Sequence, residues 1–84
     1  MFNKLASVSP VGDTCLKGVF LDGETRYYDI SRLFDEIPIF RTLLNNDLFR
    51  SVKVDSGGYG ISWSDDIDLS ADEIYENGEK EFRL

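Results

Sequence analysis

The side chains best suited to chemistry are carboxylates crowded into the last third of the chain: Asp65, Asp66, Asp68, Asp72, Glu73 and Glu76. Carboxylates this close in sequence can hold a divalent cation, present charge to a basic partner, or dress a solvated turn and the positive end of a helix. Their spacing lacks the alternating ladder and the glycine of a calcium loop. With no histidine and one cysteine, a zinc site cannot be assembled either, so no metal ligand and no cofactor are assigned. Asp29 and Asp68 stand in similar settings, Asp29-Ile30-Ser31 and Asp68-Leu69-Ser70. Paired carboxylates serve acid–base catalysis, but here the serine two residues on reads as a helix cap that the aspartate braces. Without histidine, Ser-His-Asp and Cys-His catalysis are excluded within the chain, and no catalytic residue is assigned. Cys15 lies in an apolar strand pattern and reads as a small buried hydrophobe. Among the aromatics, Trp63 and Tyr28 fit a core. Tyr27 and Tyr59 are left for a partner surface, alongside the acidic residues.

The elements that position these groups fit one small α+β domain over residues 1–84. Residues 4–8 alternate into a short first strand closed by Ser9-Pro10. Residues 14–21 and 24–30 form a hairpin about Asp22-Gly23, a dipeptide suited to a type I′ turn. Ser31 is expected to cap a short helical turn reaching Ile37. A second helix starts at Pro38, places Ile39, Phe40, Leu43 and Leu44 on one apolar side, and stops at Asn45-Asn46-Asp47. Leu48 and Phe49 then plug the core. Residues 51–55 and 59–63 make a second hairpin through Ser56-Gly57-Gly58, followed by a turn and a short alternating segment over 64–69. Ser70 and Glu73 form a capping box for a C-terminal helix ending at Asn77-Gly78, and residues 78–84 read as a polar tail.

Charge is divided unevenly along this plan. The chain carries nine Lys and Arg against sixteen Asp and Glu, net −7. Residues 1–54 hold seven of each sign, whereas residues 55–84 hold two basic and nine acidic side chains, so the entire excess lies in the second part. Direct nucleic-acid binding through phosphates and adsorption to an anionic membrane are disfavoured by that sign. A lone cysteine precludes an internal disulfide and fits a reducing, cytoplasmic setting. No apolar run has the length of a signal peptide or a membrane span.

The ordered set Leu16, Phe20, Asp22-Gly23-Glu24, Tyr28-Asp29-Ile30-Ser31, Phe40, Leu43, Phe49, Val52-Lys53-Val54, Ile61-Ser62-Trp63, Ile67-Asp68-Leu69 and Ile74-Tyr75 resembles the bacterial domain of unknown function 2442 family over about residues 5–77. The resemblance implies a small α+β domain, found alone or ahead of a DNA-binding helix-turn-helix. This chain ends soon after the Ile74-Tyr75 pair and is expected to lack such an appendage. The family gives no catalytic residue to carry over. It also implies a two-gene arrangement with small proteins of another family, domain of unknown function 4160, in the manner of toxin–antitoxin pairs.

These readings lead to one expectation: a non-enzymatic interaction module for a protein partner with a basic surface, antitoxin-like or accessory in character. An acidic mimic of nucleic acid that blocks a DNA- or RNA-binding protein is the alternative. A homodimer is a further expectation, since a small core leaves apolar surface to cover.

Overall fold

The computed structural model describes residues 3–82. The first three strands, β1 (Leu5–Val11), β2 (Cys15–Phe20) and β3 (Thr25–Asp29), form an antiparallel sheet in the order β1-β2-β3. Period-two alternation sends Leu16, Gly18 and Phe20 of β2 inward with Arg26 and Tyr28 of β3. The register sets Leu16 opposite Tyr28 and Cys15 opposite Asp29. β1 runs past the expected end at Ser9-Pro10, to Val11. It is an edge strand, where the missing N–H of Pro10 is tolerated.

The β2–β3 turn differs from the type I′ expectation. No residue other than glycine has positive φ among the described residues, so Asp22 cannot occupy the left-handed region that such a turn demands. Instead the Gly23 N–H donates to the Phe20 carbonyl at 3.0 Å, Gly23 alone turns left-handed at φ 92°, and the Phe20 N–H donates to the Glu24 carbonyl at 2.8 Å. This is a three-residue loop with a glycine bulge. Asp22 Oδ1 steadies it by accepting from the Glu24 N–H at 2.9 Å.

The middle of the chain is 3₁₀ rather than α-helical. Ile30–Leu33 forms one 3₁₀ turn, and its cap is Asp29, whose carboxylate accepts from the Ser31 N–H at 3.0 Å; Ser31 is not the cap. Pro38–Leu44 forms a longer 3₁₀ segment with the proline at its start, as expected. Three residues per turn put Phe40 and Leu43 on one buried face, so Ile39 and Leu44 emerge on others at 41% and 62% exposure. The single apolar side expected from a 3.6-residue period is therefore split. Asn45 does more than stop this segment: its Oδ1 accepts from the N–H groups of Asp47 and Leu48 and caps helix α1 (Asn46–Arg50), which delivers Phe49 to the core.

The second sheet, β4 (Lys53–Val54), β5 (Gly60–Ser64) and β6 (Ile67–Ser70), is antiparallel in the order β4-β5-β6. The 64–69 stretch holds the expected turn, at Asp65-Asp66, and the expected alternating segment, which is the third strand of this sheet: Ile67 and Leu69 point toward the core and Asp68 outward. Helix α2 (Ala71–Asn77) closes the fold and buries Ala71 and Ile74. Leu16, Tyr28, Ile30, Leu43, Phe49, Ile61 and Ile74 are fully enclosed, and Trp63 Nε1–H donates to the Phe49 carbonyl at 3.0 Å. Residues 78–82 are not simply a polar tail. The Tyr27 and Glu79 backbones exchange two hydrogen bonds of 2.7 Å, and the Phe82 ring lies 5.6 Å from that of Tyr27. The rest of the expected tail, residues 83 and 84, lies outside the described residues. Among the described residues no helix is long and apolar enough to cross a membrane.

Candidate functional site

Tyr59 occupies the turn between β4 and β5, held by glycines on both sides. Gly57 and Gly58 have φ of 87° and 81°, a region open to glycine. A Cβ on Gly57 would sit 3.0 Å from two carbons of the Tyr59 ring, and one on Gly58 would sit 2.7 Å from the Leu5 carbonyl oxygen. The turn thus lies flat on the start of β1, which brings Lys4 Nζ to 5.0 Å from the centre of the Tyr59 ring. The Tyr59 carbonyl accepts from the Ala71 N–H at 2.8 Å and ties the turn to the start of α2. The ring is half exposed.

Two clefts meet at this ring. One, of about 390 Å³, is lined by Asn3, Tyr59, Ser70 and Asp72. The other, of about 260 Å³, is lined by Asp55, Tyr59, Gly60, Asp68, Leu69 and Ser70. Their carboxylates are held to different degrees. Asp55 Oδ1 accepts from the Ser62 hydroxyl at 2.7 Å, and Asp72 Oδ1 accepts from the Asn3 backbone N–H at 2.9 Å and its side-chain amide at 3.2 Å. Asp68 is exposed on β6, opposite Ser62 of β5.

The sequence-derived acidic set is therefore divided. Asp68 and Asp72 join Tyr59. Asp65 and Asp66 form the exposed β5–β6 turn, where the Asp66 N–H donates to the Ser64 hydroxyl at 3.3 Å, and Glu76 is exposed on α2. Glu73 belongs to the framework. Its Oε2 accepts from the Tyr28 hydroxyl at 2.7 Å and its Oε1 from the Asn77 amide at 3.0 Å. The capping box is thus half realised: the Ser70 hydroxyl accepts from the Glu73 N–H at 3.1 Å, while the Glu73 carboxylate turns to Tyr28. Tyr27 sits on the outer face of the first sheet, in a separate cleft lined by Cys15, Asp29, Glu79 and Glu81. Asp55, Asn3 and Lys4 were missed. Only the outward register of Asp55 with Lys53 hinted at the first, and nothing local couples the other two to residues so far along the chain.

Electrostatics in the Tyr27 cleft follow burial and charge. Burial, reinforced by the Asp29 charge, pushes the Cys15 thiol up against two backbone hydrogen bonds. Burial pushes Asp29 up as well. Hydrogen bonds from the Ser31 hydroxyl and N–H and the Thr14 hydroxyl outweigh it with help from Arg32, and hold the carboxyl below its ordinary value. No group of three or more histidine, cysteine or carboxylate side chains placed to hold a metal ion occurs among the described residues. An aromatic face with a lysine above it thus adjoins two clefts whose linings include carboxylates.

Fold and site together define a small α+β domain of two three-stranded antiparallel sheets closed by a C-terminal helix. The chain belongs to the family described as protein of unknown function (DUF2442), whose model matches residues 5–80. A solved structure of a putative DNA binding protein from Nitrosomonas europaea is similar, with a TM-score of 0.75 at 23% identity, over 89% of this chain and 48% of that one. This chain thus spans about half the length of that protein, and the likeness concerns the fold. No curated protein matches the chain.

Proposed function

We propose that this domain is a non-enzymatic interaction module that docks a protein partner with a basic surface, in an accessory or antitoxin-like role. The observation that carries the reading is Tyr59, half exposed at the junction of two clefts walled by Asp72 on one side and by Asp55 and Asp68 on the other. The charge division supports it, since the excess of −7 lies wholly within residues 55–84 and would speed encounter with a basic surface. The partner to test first is the product of a neighbouring gene, following the two-gene arrangement that the family resemblance implies. With the two proteins co-expressed, the partner should co-purify with the wild type, be lost with Asp68→Lys and with Tyr59→Ala, and survive Asp13→Lys in the β1–β2 turn. Co-purification indifferent to Asp68→Lys and Tyr59→Ala would sink the proposal.

The similar Nitrosomonas europaea protein, described as a putative DNA binding protein, raises DNA binding as a second reading. The acidic second part of this chain argues against direct contact with phosphates. A gel-shift titration at low salt discriminates: retarded DNA with the isolated chain would favour the second reading. The nucleic-acid mimic is the weaker alternative, because Glu73 is engaged with Tyr28 and the exposed Asp65, Asp66, Asp68 and Glu76 are scattered over a turn, a strand and a helix rather than set in a row.

A further inference from the structure

We propose that the outward side of residues 37–44 is a face on which two copies of this chain meet as a weak two-fold dimer. The inference is independent of the docking reading, since it uses none of the residues around Tyr59. Phe40 and Leu43 point inward, which leaves Ile37, Pro38 and Ile39 as three successive exposed apolar residues and Leu44 exposed farther along. At about 2 Å of rise per residue, this ridge runs about 14 Å from Ile37 to Leu44. Its polar side chains are already satisfied within the chain. The Thr42 hydroxyl donates to the Ile39 carbonyl at 2.7 Å, and the Arg41 guanidinium donates to the Phe34 carbonyl at 3.2 Å and to Asp35 Oδ1 at 2.8 Å. Covering the ridge therefore strands neither of them.

Charge complementarity names the occupant. Residues 30–50 carry Arg32, Arg41 and Arg50 against Asp35, Glu36 and Asp47, a balance of zero within a chain of net −7. Glu36, Asp47 and Arg50 are exposed and make no ion pair among the described residues, so both signs remain beside the ridge. A two-fold interface sets a patch against its own image, which a rim of one sign resists and a balanced rim tolerates. Two copies meeting through residues 55–84 would set nine acidic and two basic side chains against the same set. Across the ridge that repulsion is absent. A strongly basic or strongly acidic macromolecule finds no excess charge there to select it, whereas a second copy meets apolar surface and charges of both signs.

The experiment is sedimentation equilibrium of the full chain at concentrations up to about 1 mM, with circular dichroism to verify that each variant is folded. A monomer–dimer equilibrium is expected, with a Kd of about 0.1–1 mM, as suits a face smaller than a standard interface. Leu44→Asp and Ile39→Asp should each weaken it at least about tenfold, and Ile39→Ala, the milder change, about two- to threefold. Leu21→Asp places the same charge on an exposed leucine of the β2–β3 turn, at the other end of the first sheet, and should leave the dimer intact. Raising salt from about 0.05 to about 0.5 M should tighten the dimer roughly two- to fivefold, because it screens the like net charge of the two copies. A chain that stays monomeric throughout would overturn the proposal. So would a dimer that is indifferent to Leu44→Asp and Ile39→Asp, one that Leu21→Asp weakens equally, or one that salt dissociates.

Discussion

The Tyr28 hydroxyl donates to Glu73 Oε2 at 2.7 Å, joining the inner face of the first sheet to the first turn of helix α2 across 45 residues of sequence. The guanidinium of Arg32 lies 5.2 Å from the centre of the same Tyr28 ring, so a phenol, a carboxylate and a cation converge where the two parts of the chain meet. Glu73 is half-buried and Tyr28 almost wholly enclosed, which makes this contact worth more than a surface hydrogen bond.

Tyr28→Phe should therefore cost about 1.5 kcal/mol, the lower end for a hydrogen bond to a charged group given the partial exposure of Glu73. In a domain of this size that lowers Tm by roughly 6–12 °C, measurable by circular dichroism. Burial, with the Glu73 hydrogen bond and charge added, raises the Tyr28 pKa well above that of a free phenol. An unfolded tyrosine ionises near pH ~10, so above that point the native state binds more protons than the unfolded state and stability falls as pH rises. Tyr75, held by a hydrogen bond to Asp22 Oδ2, shifts in the same direction. Urea midpoints should drop steeply above pH ~10 in the wild type and less steeply in Tyr28→Phe; equal slopes would show that Tyr28 ionises freely.

Gly78 ends α2 for lack of space rather than for freedom of φ. Its φ is an ordinary −75°, but a Cβ there would lie 2.5 Å from the Ile74 carbonyl oxygen and 2.9 Å from Arg26 Cβ. Gly78→Ala should destabilise by about 1–3 kcal/mol through forced displacement. Because Glu79 pairs with Tyr27 immediately afterwards, hydrogen exchange should show its amide losing protection before those of β2 and β3. An unchanged Glu79 amide would contradict this account.

Legibility in the sequence tracked the range of the interaction. Alternation and one glycine were enough to find the β2–β3 hairpin, and the pattern at Val52–Trp63 was enough to find the second. Ser70 was readable as a cap because its partner is three residues away. What escaped was set by distant packing. Glu73 turned from its expected cap partner to Tyr28. Glu79 left the tail to bridge Tyr27. The 3₁₀ winding of 38–44 escaped for another reason: its apolar residues satisfy both periods until the core selects Phe40 and Leu43. Of the residues lining the two clefts at Tyr59, residue type and charge single out Tyr59, Asp68 and Asp72. They do not single out Asn3 and Lys4, since only the folded chain sets them beside residues 59 and 72.

Cys15 should react slowly. Its thiol is half-buried and faces Asp29 across the strand pair, and both burial and that charge keep it protonated. Alkylation by iodoacetamide at pH ~8 should lag behind that of free cysteine, whose thiol is about a quarter ionised there. Asp29→Asn should speed it. The same variant tests the Asp29 cap. A carboxyl whose folded pKa lies below its unfolded value contributes stability above about pH 4, lost as pH falls through the folded pKa. Asp29→Asn should therefore destabilise at neutral pH and converge on the wild type in strong acid. A gap that persists at low pH would assign the loss to packing instead.

The 3₁₀ winding of Pro38–Leu44 makes a prediction that an α-helix would not. Residues 39 and 40 are adjacent and both apolar, and a 3.6-residue period places both on one core-facing side with Leu43 and Leu44. Under the observed period Phe40 stacks over Leu43 and meets Trp63 edge-on at 6.1 Å, while Ile39 points outward. Phe40→Ala should cost about 3–5 kcal/mol, enough to unfold much of so small a domain, and the gentler Phe40→Leu should still lower the urea midpoint clearly. Ile39→Ala should change stability by less than about 1 kcal/mol, because little of its burial is lost. A comparable loss at both positions would mean that the segment winds as an α-helix in solution.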